Sequence, residues 1–250
     1  MNKKIDKNKV NKVIFNFWNN FLNFKEIPVS WNNLTIIHNR KSDLPENQIN
    51  ILSFYNNWNI ISVPKKYFNI LSKYLNSNKY NIEKLLIKFE SIENKKVQKF
   101  WPVIFYYLYN TNKLIPKNIN VRQLKWIIDK SIFNEYIESC TKEEQNSVDM
   151  DFDDKTHIFF WLFIEKKLVS LWNYSIDIDT GISHIWILTH SKYVKNWYWK
   201  ELVNTLVLDI LEKGLIPQYR VKHNNIASIK LAESLWFEKV LEWITLMTVE

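Results

Sequence analysis

The run Ile185-Trp186-Ile187-Leu188-Thr189-His190-Ser191-Lys192-Tyr193-Val194-Lys195-Asn196-Trp197-Tyr198-Trp199-Lys200-Glu201-Leu202-Val203 decides how this chain is read. Its start extends Ile182-Ser183-His184 into a β-branched segment that suits a strand, Ile182–Thr189. From Lys200 to Lys213 the residues Leu202, Val203, Leu206, Val207, Ile210 and Leu211 recur at helical intervals on one face. Gly214 supplies a C-terminal stop. Next come a strand at Gln218–Lys222, a helix at Asn225–Leu235 and a last strand at Val240–Val249. Strand, loop, helix and strand in that order predict a parallel pair joined by a helical crossover.

Upstream, Asn120–Leu124 reads as a short strand. Asp129 is placed to cap a helix carrying Ile132, Phe133, Tyr136 and Ile137. Thr141-Lys142-Glu143-Glu144 resembles a capping box opening a second helix. His157–Glu165 and Leu168–Ile176 form a hairpin across Lys166-Lys167. Further back, Val10, Val13, Ile14, Phe17, Phe21 and Leu22 mark an amphipathic helix within residues 1–24. Leu34–His38 and Asn59–Val63 are short strands, and Pro64 opens a helix with the stripe Tyr67, Phe68, Leu71, Tyr74 and Leu75. Ile82–Phe89 fits strand or helix, and Trp101–Leu114 is aromatic and buried. Pro116-Lys117-Asn118 is the best linker, so an α+β region at 1–116 precedes a second part at 117–250. No internal repeat is visible.

The chain has two glycines and twelve tryptophans in 250 residues. Glycine ordinarily makes up about 7% of residues. Several tryptophans stand where glycine is expected: Trp58 in a turn-like string, Trp31 after Ser30, and Trp197 and Trp199 between a strand and a helix. The Asn, Lys and Ile content implies AT-rich codons, among which UGG is scarce. The expectation is a code in which UGA means glycine, read here as tryptophan.

With glycine at those places, residues 185–203 resemble the acetyl-CoA-binding segment of the GNAT acyltransferase superfamily: a strand, a loop ending in R/Q-x-x-G-x-G/A, then a helix. Asn225-Ile226-Ala227-Ser228-Ile229-Lys230-Leu231-Ala232-Glu233-Ser234-Leu235-Trp236-Phe237 is similar to the second GNAT signature, N-x-A-S-x-x-L-A-E-K-L-G-F, with Trp236 at its glycine. The resemblance spans about 119–250. It implies an α+β fold with a mixed, twisted sheet flanked by helices, the 117–250 part being the acyltransferase domain. It also implies an N-acetyltransferase that uses acetyl-CoA as acyl donor and a primary amine as acceptor, a small molecule first, with an antibiotic-like molecule, an amino acid and a protein N-terminus left open.

A pyrophosphate needs many donors in little space. A loop entering a helix N-terminus provides convergent N–H groups and a favourable dipole, and glycine lets the backbone approach closely. The resemblance therefore assigns Val194, Lys195, Asn196, Trp197, Tyr198, Trp199 and Lys200 to the cofactor. Val194 departs from the Arg or Gln of the pattern; Lys195 can supply charge instead. Ile187, Leu188 and Thr189 would present backbone groups to the pantetheine arm and thioester carbonyl. Asn225 would bond the pantetheine, or cap its helix, or both.

Acyl transfer to an amine moves two protons. Where the family often carries Glu on the strand before the loop, this chain has a residue near it, His184, whose ordinary pKa of about 6.5 suits a base. A packed or surface histidine is the competing role. His223 is a second candidate. The family's acid tyrosine falls on Ala232; Tyr219 or Tyr198 could substitute, or water. Glu165 reads as solvent-facing.

The formal charge is +8. That balance suits nucleic acid or an anionic cofactor, but the lysines are scattered. The densest group, Lys3, Lys4, Lys7, Lys9 and Lys12, reads as a solvated start. The histidines are dispersed, and Asp149, Asp151, Asp153 and Asp154 lack the glycine and closing Glu of a calcium loop, so no metal is expected. They could form an acidic lip for a cationic amine. No apolar run approaches the ~20 residues of a membrane span, and the N-terminus is not a convincing signal peptide. The single Cys140 cannot form an internal disulfide, which fits the cytoplasm. Two other functions compete: a non-catalytic acyl-CoA-binding protein, and a basic nucleic-acid-binding protein, which lacks a recognisable readout motif.

Overall fold

The computed structural model describes residues 6–22, 34–38, 45–55, 58–100, 102–112, 114, 121–142, 145, 156–164, 167–189 and 198–249. The linker Pro116-Lys117-Asn118, Trp31, the aspartates of 149–154, Glu165 and the loop 190–197 lie outside them. The chain is mixed α+β and divides into two compact units, each assembled from separated segments. One comprises Met1–Ile14, Tyr107–Arg220 and Lys230–Glu238. The other comprises Phe15–Tyr106, Val221–Ile229 and Lys239–Glu250.

The chain begins with α1 (Lys7–Leu22), β1 (Leu34–His38), β2 (Gln48–Phe54), β3 (Asn59–Val63), α2 (Lys65–Ser77), α3 (Ile82–Glu93), β4 (Val97–Lys99) and β5 (Val103–Leu108). In the unit that holds β1–β4, the strand order is β1-β3-β2 followed by the closing strand β11 (Phe237–Thr248) and β5, with β4 also on β11. β1 and β3 are parallel; β2 runs antiparallel to both β3 and β11. Pro64 precedes α2, where its missing N–H costs nothing. The expected stripe is realised: Tyr67, Leu71 and Leu75 are buried, and Phe68 and Tyr74 pack beside them. The ambiguous segment from Ile82 is a helix. Asn81 caps it by accepting from the Lys84 N–H at 3.0 Å, and Leu85 and Phe89, one turn apart, enter the same core as Ile49, Ile51, Ile61 and Val63. Trp18 of α1 is buried edge-on against Phe105 and Trp243.

The other unit contains β6 (Val121–Gln123), α4 (Trp126–Ser139), β7 (His157–Ile164), β8 (Lys167–Ile176), β9 (Ile182–Thr189), α5 (Tyr198–Glu212) and β10 (Ile216–Lys222), with α6 (Ile226–Ser234) leading into β11. The expected order of strands and helices is present among the described residues, except that the helix expected from Thr141 falls largely outside them. The neighbours run β10-β9-β8-β7-β6, antiparallel except for β9 and β10, which are parallel. Successive strand residues face opposite sides of a sheet. Phe133, Tyr136 and Cys140 of the α4 segment pack on Phe159, Trp161 and Leu171. On the opposite side, Tyr174 of β8 donates its phenol to Asp209 of α5 at 2.5 Å, and Lys213 bonds both.

Asp129 differs from its expected place. The helix starts three residues earlier, at Trp126, with Lys125 as N-cap and no side-chain cap. Asp129 sits in the first turn, accepts from the Lys125 N–H at 2.9 Å and takes two bonds from Arg122 at 2.7 and 2.8 Å. Its carboxyl therefore serves the strand before the helix as well as the helix end. Of the capping box, only Thr141, Lys142 and the following Gln145 are described; the Gln145 N–H donates to the Thr141 carbonyl.

Candidate active site

Helical residues buried on one face explain why the chain can return a parallel strand. Leu202, Val203, Leu206, Val207 and Ile210 of α5 are all fully buried. Gly214, at φ +74, turns the chain directly into β10. β10 then pairs with β9 at four positions, from Ile216↔Ile182 to Tyr219↔Ile185. There the described register ends, although β10 runs to Lys222 and β9 continues along β8 to Thr189. In a strand pair, alternate N–H and C=O groups point away from the partner. Those of Trp186–Thr189 that point away from β8 are not taken by the described β10 register.

A polar row crosses the sheet just before this point. His184 of β9 and Gln218 of β10 are register partners, with His184 Nδ1 and Gln218 Oε1 2.5 Å apart. Gln218 is completely buried and donates its Nε2 to the hydroxyl of Tyr107 in β5, also fully buried. Ser175 of β8 lies opposite His184 in the register. One step further, the Arg220 guanidinium stacks over the Trp186 ring at 4.4 Å, and Asn173 of β8 lies opposite Trp186.

This setting changes the expected chemistry of His184. Burial, the nearby Arg220 charge acting in the same sense, pushes its pKa down to about 4, against weaker upward pulls from the Gln218 bond and Asp177. The expectation of an ordinary value near 6.5 is thereby corrected: an imidazolium loses more hydration there than its partners return. At neutral pH His184 is uncharged. It can accept a proton, but it is too weak a base to take one from a free ammonium ion.

The other expected residues do not all converge on His184. Tyr219 is buried, with its ring 5.9 Å from that of Phe237, and as the neighbour of Gln218 on one strand it faces the opposite side of the sheet. His223 is exposed in the turn after β10, its N–H donating to the Pro102 carbonyl at 2.8 Å. Asn225 caps α6 by accepting from the Ser228 N–H at 3.1 Å. Ile187, Leu188 and Thr189 lie on β9 opposite Trp172, Leu171 and Ser170. Val194, Lys195, Asn196 and Trp197 lie outside the described residues, while Tyr198, Trp199 and Lys200 are the first three residues of α5. Gln218, Tyr107 and Arg220 were not singled out from the sequence. Gln218 sits among apolar residues of a strand, and a buried glutamine there was the available signal.

Two negative findings bound the rest. Among the described residues, no three histidine, cysteine or acidic side chains gather as a metal site, and no helix is long and apolar enough to cross a membrane.

No protein-family model and no curated protein sequence matches the chain. Solved structures do resemble it, and they include acetyltransferases of the GNAT family. One is an acetyltransferase from the GNAT family of Colwellia psychrerythraea, at 11% identity and a TM-score of 0.49, the match covering 65% of this chain and 62% of that one. A GCN5-related N-acetyltransferase-like protein from Streptococcus suis is 17% identical with a TM-score of 0.44, over 76% and 71%. The ribosomal-protein-S18-alanine N-acetyltransferase of Escherichia coli is 14% identical with a TM-score of 0.38, over 52% and 93%.

Proposed function

We propose that this chain is an acetyl-CoA-dependent N-acetyltransferase. The observation that carries the reading is the parallel β9–β10 pair whose register stops at Ile185↔Tyr219, with α5 as the crossover between the strands. Backbone groups of β9 beyond that point suit the amides of a pantetheine arm, and the start of α5 suits a pyrophosphate. In the reaction the amine nitrogen attacks the thioester carbon, the C–S bond breaks, and the amine sheds a proton. His184, neutral at this site, accepts that proton from the amine once it has bonded to carbon, when it is far more acidic than a free ammonium ion. Water returns a proton to the departing thiolate. The acceptor is an amine, and the soluble cytoplasm is the proposed compartment.

A second proposal concerns residue identity. Trp236 holds φ +67 and is 44% exposed, at the end of α6, where the N–H of Trp236 bonds the Glu233 carbonyl. A bulky L-residue rarely adopts that conformation, whereas glycine does so at helix ends. Trp18, Trp161 and Trp172, by contrast, are at most 1% exposed in the core. The geometry supports glycine in the native protein at 236, and the resemblance extends this to 197 and 199. Intact tryptophan-containing peptides at Trp197 and Trp236, found by mass spectrometry of the native protein, would sink the idea.

The functional test is calorimetry with acetyl-CoA, paired with thiol release over a panel of amines. It uses the chain as written and the double substitution Trp197→Gly/Trp199→Gly. Binding with amine-dependent thiol release supports the enzyme. Binding without release across the panel favours the non-catalytic acyl-CoA-binding protein. No binding by either form overturns the proposal.

A further inference from the structure

A neutral histidine has two tautomers, and only the nitrogen without hydrogen can accept a proton. The row across β5, β10 and β9 selects between them. A carbonyl oxygen only accepts, and Gln218 Oε1 faces His184 Nδ1 at 2.5 Å. With Oε1 in that place, Nδ1 is the nitrogen that carries the hydrogen. In this orientation of the amide, Gln218 Nε2 donates to the Tyr107 hydroxyl, which accepts with an oxygen lone pair. Gln218 has no exposed surface and Tyr107 none either, so water cannot substitute freely for either bond. Tyr107 and Gln218 are 111 residues apart in the chain, and such a buried pair costs free energy unless both groups are satisfied.

We propose that Gln218 is a positioning residue that holds His184 in its Nδ1–H tautomer, with Tyr107 fixing the orientation of the Gln218 amide, so that Nε2 carries the lone pair. The catalytic consequence rests on the acetyltransferase reading above: Nε2 is then the atom that receives the amine's proton. The tautomer itself does not depend on that reading. Among the described residues, Arg220 disfavours the imidazolium and Asp177 favours it. Neither bears on the choice of tautomer in the way a directional acceptor at Nδ1 does.

The arrangement also explains the use of glutamine at 218. Glutamate there would accept from Nδ1 equally well, but it would add a negative charge beside the ring and raise its proton affinity. Glutamine selects the tautomer while leaving the imidazole neutral. Methionine, of similar volume, would select nothing.

The test is long-range 1H–15N NMR of the full chain with 15N-labelled histidine, without any acyl donor. The His184 signals are assigned by their loss in His184→Gln. The expected spectrum at pH 7 shows Nδ1 protonated and Nε2 with the shift of an unprotonated ring nitrogen. Gln218→Glu should keep that tautomer and raise the ring's proton affinity at least tenfold. Gln218→Met should shift the population towards Nε2–H, and Tyr107→Phe should do so in part. A wild-type ring in the Nε2–H form overturns the proposal, as does a tautomer unmoved by a folded Gln218→Met. If a variant does not fold, the wild-type spectrum alone still decides between the tautomers. Failure of the enzyme reading would show as absent thiol release with this spectrum intact, so the two failures are distinguishable.

Discussion

The Arg220 guanidinium lies 4.4 Å from the centre of the Trp186 ring, one register step beyond Tyr219↔Ile185, the last described pair of β9 and β10. The contact puts a cation next to His184 on the same face of the sheet. It also ties the strands together through side chains where the described backbone register has stopped. A cation–π contact of this kind contributes about 0.5–2 kcal/mol. Arg220→Gln should raise the proton affinity of His184 by removing a like charge, although burial, the larger cause, stays. NMR titration of His184 in both forms checks the direction.

The depressed His184 pKa has a stability consequence. The unfolded chain binds a proton near pH 6.5, the folded one near 4. The histidine's contribution is thus fully present above about pH 6.5 and is lost as pH falls towards 4. The difference corresponds to about 3 kcal/mol. Urea denaturation at pH 7 and pH 4 should show wild type losing more stability than His184→Gln over this interval. Parallel losses in the two proteins would contradict the shift.

If His184 accepts the amine's proton, His184→Gln in the form with glycine at 197 and 199 should lower turnover by about 10²–10⁴-fold at neutral pH. The loss should shrink at high pH, where hydroxide can take the proton from the bonded amine instead. Above about pH 5 the wild-type profile should show no step from His184 itself, which is already neutral. An unchanged pH–rate profile in the variant would clear His184 of the role and leave proximity and thioester polarisation as the sources of rate.

Trp236→Gly should stabilise the chain by about 1 kcal/mol, because the left-handed conformation costs a side-chain-bearing residue that much and glycine almost nothing. Chemical denaturation measures it. Destabilisation would mean that the indole's packing outweighs the backbone strain and would remove the conformational support for glycine at this position.

Asp129→Ala should cost about 1–2 kcal/mol, since it leaves Arg122 without its two-point partner and the Lys125 N–H without its acceptor. The figure is kept low because Arg122 is 45% exposed and can rehydrate. The Arg122 bond holds the Asp129 carboxyl below the usual carboxylate range. Its contribution is therefore present above about pH 4 and fades at lower pH as the carboxyl protonates. Thermal denaturation of both proteins at pH 7 and pH 3 should show the gap closing on acidification.

The order of the described strands and helices from Val121 onward was legible because the patterns that mark them are local. The apolar, β-branched and aromatic runs of β7, β8 and β9 and the apolar stripe of α5 are each set by residues close together in the chain. Gly214 marked the helix end for the same reason. Ile82–Phe89 was not settled by pattern, because a short apolar run fits either element. Its helix was decided by the shared core that receives Leu85 and Phe89 and by the Asn81 cap. The site divides in the same way. The sequence placed His184 on the strand before the loop and fixed the crossover that makes β9 and β10 parallel. Only the tertiary structure put Tyr107 beside Gln218 and Gln218 against His184. Those contacts join strands far apart in sequence, and the burial that lowers the His184 pKa belongs to the assembled sheet. A residue type carries an ordinary proton affinity; the desolvation and charge that change it come from what folding packs around it.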